Sequence, residues 1–140
     1  MSDFVVDASV AVKWLMTEPH EAVAGRLLHG GHDLLVPDLV FVEVANALWK
    51  RVMRGETTVA MATEALQTLG SLPLQVHPSQ PLLPLAVELA ARFGRSVYDS
   101  LYLAVAMIRH CLLVTADRRL YDALAAGALR SHLLWVADVP

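Results

Sequence analysis

The 140-residue sequence predicts an α/β protein with three layers, α/β/α, around a mostly parallel central sheet of roughly five strands. Short apolar runs rich in leucine and β-branched residues alternate with longer helical patterns along the whole chain. Right-handed crossovers between parallel strands then place helices on both faces of the sheet. No repeat, low-complexity segment or linker interrupts this alternation, so residues 1–140 are expected to form a single domain.

Five short segments have the composition of buried parallel strands, because they are almost continuously apolar rather than alternating. In chain order the predicted strands are "FVVD" (4–7), "DLLVP" (33–37), "LPLQVH" (72–77), "CLLVT" (111–115) and "LLWVA" (133–137). Three of the helical patterns, 20–31, 38–54 and 81–94, end at or just before a glycine, where a helix commonly stops. The predicted helices cover residues 20–31, 38–54, 58–70, 81–94, 97–110 and 117–127.

The composition excludes several classes of protein. Hydrophobic residues make up 56% of the chain, yet the longest clean apolar run, 101–108, is far shorter than the ~20 residues of a membrane span. The start "MSDFVVD" lacks the basic region of a secretory signal, so a cytoplasmic protein that does not enter a membrane is expected. One cysteine, Cys111, allows neither an internal disulfide nor a cysteine-based zinc site. A net charge of −3 excludes a protein that holds nucleic acid by its overall charge alone.

Four acidic residues stand at positions that favour a binding site. Asp7 ends the first predicted strand and Asp117 follows the fourth, at the carboxyl edge of the sheet where ligands bind in such folds. Glu43 and Asp99 lie in helical patterns that are otherwise strongly apolar.

Each of these acids also has an ordinary structural interpretation. Asp7 and Asp117 can cap the helices that follow them, and Ser96 and Asp99 have the spacing of a capping box. Glu43 belongs to a narrow polar stripe that can face solvent, formed by Glu43, Asn46 and Lys50.

Taken together, the four acids are better explained as one cluster. Carboxylates brought close to one another repel, which raises the pKa of at least one unless a cation lies between them. Carboxylate ligands without nitrogen or sulfur donors suit Mg²⁺ or Mn²⁺. Such ions activate water and neutralise charge on a phosphodiester, so the cluster favours phosphodiester hydrolysis.

Four blocks of sequence resemble, in the same order, the acidic blocks of the PIN-domain ribonucleases, and most closely the VapC-type toxins of bacterial toxin–antitoxin pairs. They are "VVDASVAVKWL", "PDLVFVEVANAL", "SVYDSLYLAVA" and "LLVTADRRL", which together extend over nearly the whole chain. The resemblance implies a Mg²⁺- or Mn²⁺-dependent endoribonuclease, homodimeric and held inactive by a cognate antitoxin.

Carried over by position, the resemblance assigns both catalysis and metal binding to the four acids Asp7, Glu43, Asp99 and Asp117. It assigns supporting roles to Ser9, Asn46 and Thr115. Arg118 and Arg119 follow the last acid directly, and they either lie in an exposed first turn or contact RNA phosphate.

Other functional classes fit the sequence less well. A receiver-like phosphoacceptor domain also places acids at strand ends, but it needs a late lysine and no lysine follows Lys50. A phosphatase with an aspartate nucleophile needs a D-x-D step, which "DAS" does not supply. A non-catalytic binding module is the remaining alternative.

If the chain is a toxin, we expect an antitoxin tail to enter an apolar groove on the helices bearing Trp14 and Trp49. Dimerisation is expected through another apolar face.

Overall fold

The computed structural model describes residues 2–140, and these residues contain a five-stranded sheet in which every neighbouring pair of strands is parallel. The strands occur in the order β3-β2-β1-β4-β5 across the sheet. Their bounds are β1 Asp3–Val6, β2 Asp33–Pro37, β3 Gln75–His77, β4 Leu112–Thr115 and β5 Leu133–Trp135. The α/β class and the layered parallel sheet predicted from the sequence are confirmed.

Seven α-helices connect these strands and cover both faces of the sheet. They are α1 Ala8–Ala11, α2 Glu21–His29, α3 Leu39–Met53, α4 Val59–Ser71, α5 Leu83–Phe93, α6 Val97–Arg109 and α7 Arg118–Ala125. Short 3₁₀ turns cover Val12–Trp14, Gln80–Leu82, Arg130–His132 and Val136–Asp138. Helix α6 contacts the three central strands β1, β2 and β4, which explains why its residues Ser100–Ala106 are all buried.

Two predicted strands are shorter by two or three residues than the sequence indicated. The segment 72–77 enters the sheet only at Gln75, because Pro73 has no backbone N–H to donate to a neighbouring strand. The last strand ends at Trp135 rather than at residue 137, since the chain turns there into a 3₁₀ helix. Similarly, the segment 81–94 begins as a 3₁₀ turn before α5 starts at Leu83.

The apolar residues of the strands and of the inner helix faces form one continuous buried cluster that extends from Phe4 to Val139. β1, β2 and β4 contribute fully buried side chains such as Val5, Leu35 and Leu113. Because all five strands are parallel, their carboxyl ends meet at one edge of the sheet. That edge is where the predicted acids follow β1 and β4.

No helix within residues 2–140 is both long enough and apolar enough to cross a membrane.

Candidate functional site

The register of β1 and β4 brings the first and last acidic blocks together. Val6 pairs with Val114, so the next residues on the two strands, Asp7 and Thr115, lie side by side. The Asp7 amide donates to the carbonyl of Val114 at 3.3 Å, and the Thr115 hydroxyl donates to Asp7 Oδ2 at 2.5 Å. Both side chains are buried, which is unusual for an aspartate.

Ser9 links the two strand ends a second time. Its hydroxyl donates a short hydrogen bond to Asp7 Oδ1 and accepts one from the Ala116 amide at 2.9 Å. Ser9 and Thr115 therefore hold both oxygens of the Asp7 carboxylate. The positions that the sequence assigned to support the first and last acids do contact Asp7.

Asp7 and Asp117 are also helix caps, as the ordinary interpretation predicted. Asp7 Oδ1 accepts from the Val10 amide at 3.3 Å at the start of α1. Asp117 Oδ1 accepts from the amides of Arg119 and Leu120 at 3.0 and 3.3 Å at the start of α7. Capping fixes where each carboxylate lies without excluding a further role for it.

Helices α3 and α6 bring Glu43 and Asp99 to the same edge of the sheet. The buried hydroxyl of Tyr102 donates to Glu43 Oε1 at 2.6 Å, so one turn of α6 holds an acid from α3. Asp99 Oδ2 accepts from the Arg95 guanidinium at 3.1 Å. The predicted capping box forms only in part: the Asp99 amide donates to Ser96 Oγ at 3.0 Å, while the Asp99 carboxylate binds Arg95.

Burial and mutual repulsion perturb two of the four carboxyls. Burial raises the pKa of Asp7 to about 6, against the lowering effect of its hydrogen bonds from Ser9, Thr115 and Val10, and Asp117 raises it further. Burial also raises the pKa of Glu43, the Tyr102 hydrogen bond lowers it, and the charge of Asp99 raises it again. The pKa of the Tyr102 hydroxyl lies well above its ordinary value because of burial and the Glu43 charge, so Tyr102 remains a donor at neutral pH.

All four acids line one cleft of about 620 Å³, which we call the acidic cleft. Ser9, Asn46, Lys50, Tyr98 and Tyr102 line it as well, and four apolar residues of α1 and α3 complete the wall. Thr115 lies buried below it, bonded to Asp7. The polar stripe Glu43, Asn46 and Lys50 thus faces this cleft rather than open solvent alone.

The carboxylate oxygens of the acidic cleft are the kind of ligand that a hard divalent cation prefers, but they do not converge on one point. Its acids are all oxygen donors, and the pairs Asp7–Asp117 and Glu43–Asp99 each repel. Within residues 2–140, no three His, Cys, Asp or Glu side chains lie close enough, as they stand, to hold a metal ion. Bringing three of them to one ion therefore requires side-chain rotation.

Arg118 and Arg119 do not line the acidic cleft. The Arg118 guanidinium stacks over the Trp135 ring at 3.8 Å and lies 3.5 Å from the Asp122 carboxylate. Arg119 is exposed in the first turn of α7. The RNA contact predicted for these arginines stays a prediction.

Tyr102 is the residue of the site that the sequence analysis did not single out. It lies three residues after Asp99, on the same face of α6, as the only hydroxyl-bearing aromatic in the buried stretch 100–106. The three-residue spacing from Asp99 was the feature of the sequence that could have indicated a role for Tyr102 in the site. Its partner Glu43 is 59 residues away in sequence, so the contact itself could not be predicted from helical periodicity.

The sequence of this chain is similar to sequences of known proteins over most of its length. Residues 4–125 match the family model described as PIN domain. Ribonuclease VapC3 of Pyrobaculum aerophilum is 35% identical over 124 residues, which is 87% of this chain and 95% of the relative.

Solved structures share the fold. A crystal structure of a Pyrobaculum aerophilum protein superposes with a TM-score of 0.69 at 28% identity, covering 87% of this chain and 79% of that one. A chain of a toxin–antitoxin complex from Klebsiella pneumoniae superposes with a TM-score of 0.60 at 13% identity, covering 81% and 85%. The second likeness concerns the fold alone.

Proposed function

Because the chain belongs to the PIN-domain family, within its branch of VapC ribonucleases, we propose that it is a toxin that cleaves RNA with a divalent cation bound by the acidic cleft. The observation that carries this proposal is that four acids from four separate parts of the chain line one cleft at the carboxyl edge of the sheet. Helix capping explains Asp7 and Asp117 individually, but it does not explain why Glu43 and Asp99 face them.

Asp7, Glu43, Asp99 and Asp117 are the residues that would hold Mg²⁺ or Mn²⁺. When bound, such an ion neutralises the clustered carboxylates, activates water and stabilises negative charge on a phosphodiester. Ser9 and Thr115 orient the Asp7 carboxylate, and Tyr102 orients Glu43. Asn46 lines the cleft one turn after Glu43, where its side-chain amide can bind an RNA oxygen.

Water rather than the RNA 2′-hydroxyl is the nucleophile in this proposal. The water oxygen bonds to phosphorus and the water gives up a proton to solvent, the bond from phosphorus to O3′ breaks, and the departing O3′ takes up a proton from solvent. We expect products with 5′-phosphate and 3′-hydroxyl ends, formed with Mg²⁺ or Mn²⁺ and absent with excess EDTA. End-labelled RNA resolved beside alkaline-hydrolysis markers tests this. Cleavage that persists in EDTA, or 2′,3′-cyclic phosphate ends, would contradict it.

Tyr102→Phe is expected to weaken Mn²⁺ binding about tenfold, because the Glu43 carboxylate loses the donor that orients it. Calorimetric titration with Mn²⁺ measures the effect. Tyr121→Phe is the matched control, because Tyr121 lies on α7, packs against Trp135 and does not line the acidic cleft. Equal Mn²⁺ affinity in both variants would show that Tyr102 does not position a metal ligand.

An antitoxin is the proposed protein partner. Helix α3 exposes Val42, Trp49 and Met53, of which Val42 also lines the acidic cleft. An amphipathic antitoxin segment lying on this surface would reach the cleft directly, where a basic side chain could compete with the cation. Trp14 offers less surface to such a segment, since it is half-buried and its indole N–H donates to the Ala24 carbonyl at 2.8 Å.

A homodimer is proposed through a different apolar surface. Leu83 and Val87 on α5 and Ile108 on α6 are exposed, and α5 and α6 pack against each other. A second copy covering these side chains would remove apolar surface from water.

A further inference from the structure

A second recess, of about 320 Å³, lies beside the acidic cleft, and the charged residues that line it are mostly cations; we call it the basic recess. Four of the chain's eleven lysines and arginines line it, including both lysines of the sequence: Lys13, Lys50, Arg51 and Arg54. Glu18 is the one acid among its described lining residues. A protein with a net charge of −3 thus concentrates more than a third of its basic side chains at one place.

The basic recess adjoins the acidic cleft directly. Ala8, Ser9, Ala47 and Lys50 line both cavities. A chain-like ligand in the acidic cleft would therefore continue into the basic recess without crossing another part of the surface.

The interior of the basic recess is an ion network in which cations outnumber the acid. Glu18 accepts from Lys13 Nζ at 3.1 Å and forms a close ion pair with Arg51. The side chains of Lys13, Glu18 and Arg51 are only 8%, 19% and 17% exposed, so water screens them weakly. Burial and the neighbouring Arg51 charge lower the pKa of Lys13, as expected where one carboxylate serves two cations.

Lys50 and Arg54 add positive charge at the rim. Arg54 is exposed and paired with Glu56, which does not line the recess. Counting lining residues alone, four cations face one carboxylate. An anion bound among them would be stabilised by Coulomb attraction and by charge-assisted hydrogen bonds.

We propose that the basic recess binds a backbone phosphate of the RNA next to the one being cleaved, with Glu18 as the internal counter-ion of Lys13 and Arg51. This inference rests on the proposed RNA cleavage. Phosphates repeat along an RNA strand, so a strand with one phosphate in the acidic cleft must place the next beside it. The recess also supplies the attraction for RNA that the net charge of the chain does not provide.

The test is the binding of a labelled single-stranded RNA, measured by fluorescence anisotropy over a series of salt concentrations, with excess chelator so that no strand is cut. Arg54→Gln and the double variant Arg51→Gln, Arg54→Gln are compared with the parent protein. Arg92→Gln is the matched control, because Arg92 is exposed on α5 and lies outside the basic recess.

We expect the double variant to bind RNA about 3- to 10-fold more weakly, with the slope of log affinity against log salt reduced by about 0.7–1. Arg54→Gln should show part of this loss, and Arg92→Gln none. Glu18→Gln should change binding in the opposite direction, about 3-fold tighter, because the acid that competes with phosphate is gone. A merely structural role for the network cannot produce that tightening.

An unchanged slope in the double variant, or an equal loss in Arg92→Gln, would overturn the inference. Glu18→Gln that folds and binds no more tightly than the parent would also overturn it. The proposed function is tested by a different experiment, the cleavage assay. If the protein cleaves no RNA in any divalent cation, the binding measurements still show whether the basic recess binds phosphate.

Discussion

In protein freed of divalent cations, Asp7→Asn should raise the free energy of unfolding at neutral pH by about 2–3 kcal/mol, although it replaces a buried residue. The pKa of Asp7 is about 6 in the folded chain, against an ordinary value of 3.8. At pH 7 the carboxyl is ionised in both states, so the folded state carries the full cost of a buried charge. An amide avoids that cost and retains an oxygen that can cap α1.

The pH dependence has a definite sign. The stabilising contribution of a protonated Asp7 is fully present below pH 3.8 and is lost as the pH rises through about 6. The advantage of Asp7→Asn over the parent should therefore be largest above pH 6 and vanish towards pH 4. Urea unfolding across this range measures the difference.

Mn²⁺ should reverse the order of stability. Because the cation binds the native acidic cleft, it should stabilise the parent strongly and Asp7→Asn weakly. Asp33→Asn, exposed at the start of β2, is the matched control and should change stability by less than about 0.5 kcal/mol in either condition. If Asp7→Asn were less stable without metal and gained as much from Mn²⁺ as the parent, Asp7 would be only a structural cap.

Glu43→Gln and Asp99→Asn should each lower kcat/KM for RNA cleavage by about 10²–10³. A bound metal supplies several kcal/mol of transition-state stabilisation, and each 1.36 kcal/mol lost is about tenfold in rate. Initial rates on a single RNA at saturating Mn²⁺ measure the loss.

Glu88→Gln is the control for these carboxyl changes, since Glu88 is exposed on α5 and does not line the acidic cleft. It should cleave at the parental rate. Parental activity in folded Glu43→Gln or Asp99→Asn would remove that acid from the catalytic set.

The positions of two of the four acids were predictable because they depend on parallel-strand topology. Once β1 and β4 are identified as parallel, Asp7 and Asp117 must reach the same edge of the sheet. The two caps were equally predictable from local chemistry. Local sequence and sheet topology together therefore give the first approximation to the site.

The contacts within the site depended on how helices pack, which periodicity does not specify. Tyr102 reaches Glu43 because α6 crosses near α3, and Glu18 reaches Arg51 because the loop after Trp14 folds towards α3. The sequence also suggested that Asp99 would complete a capping box. Its carboxylate instead binds Arg95, an ionic contact stronger than the local alternative.

We propose that the acidic cleft binds the cation on which RNA cleavage depends. The most direct measurement is an anomalous difference map from crystals of the parent protein grown with Mn²⁺ at the concentration that saturates cleavage. The proposal predicts a Mn²⁺ peak inside the cleft, in contact with carboxylate oxygens from at least two of Asp7, Glu43, Asp99 and Asp117. A map with Mn²⁺ bound only elsewhere, or with none in the cleft at that concentration, would contradict it.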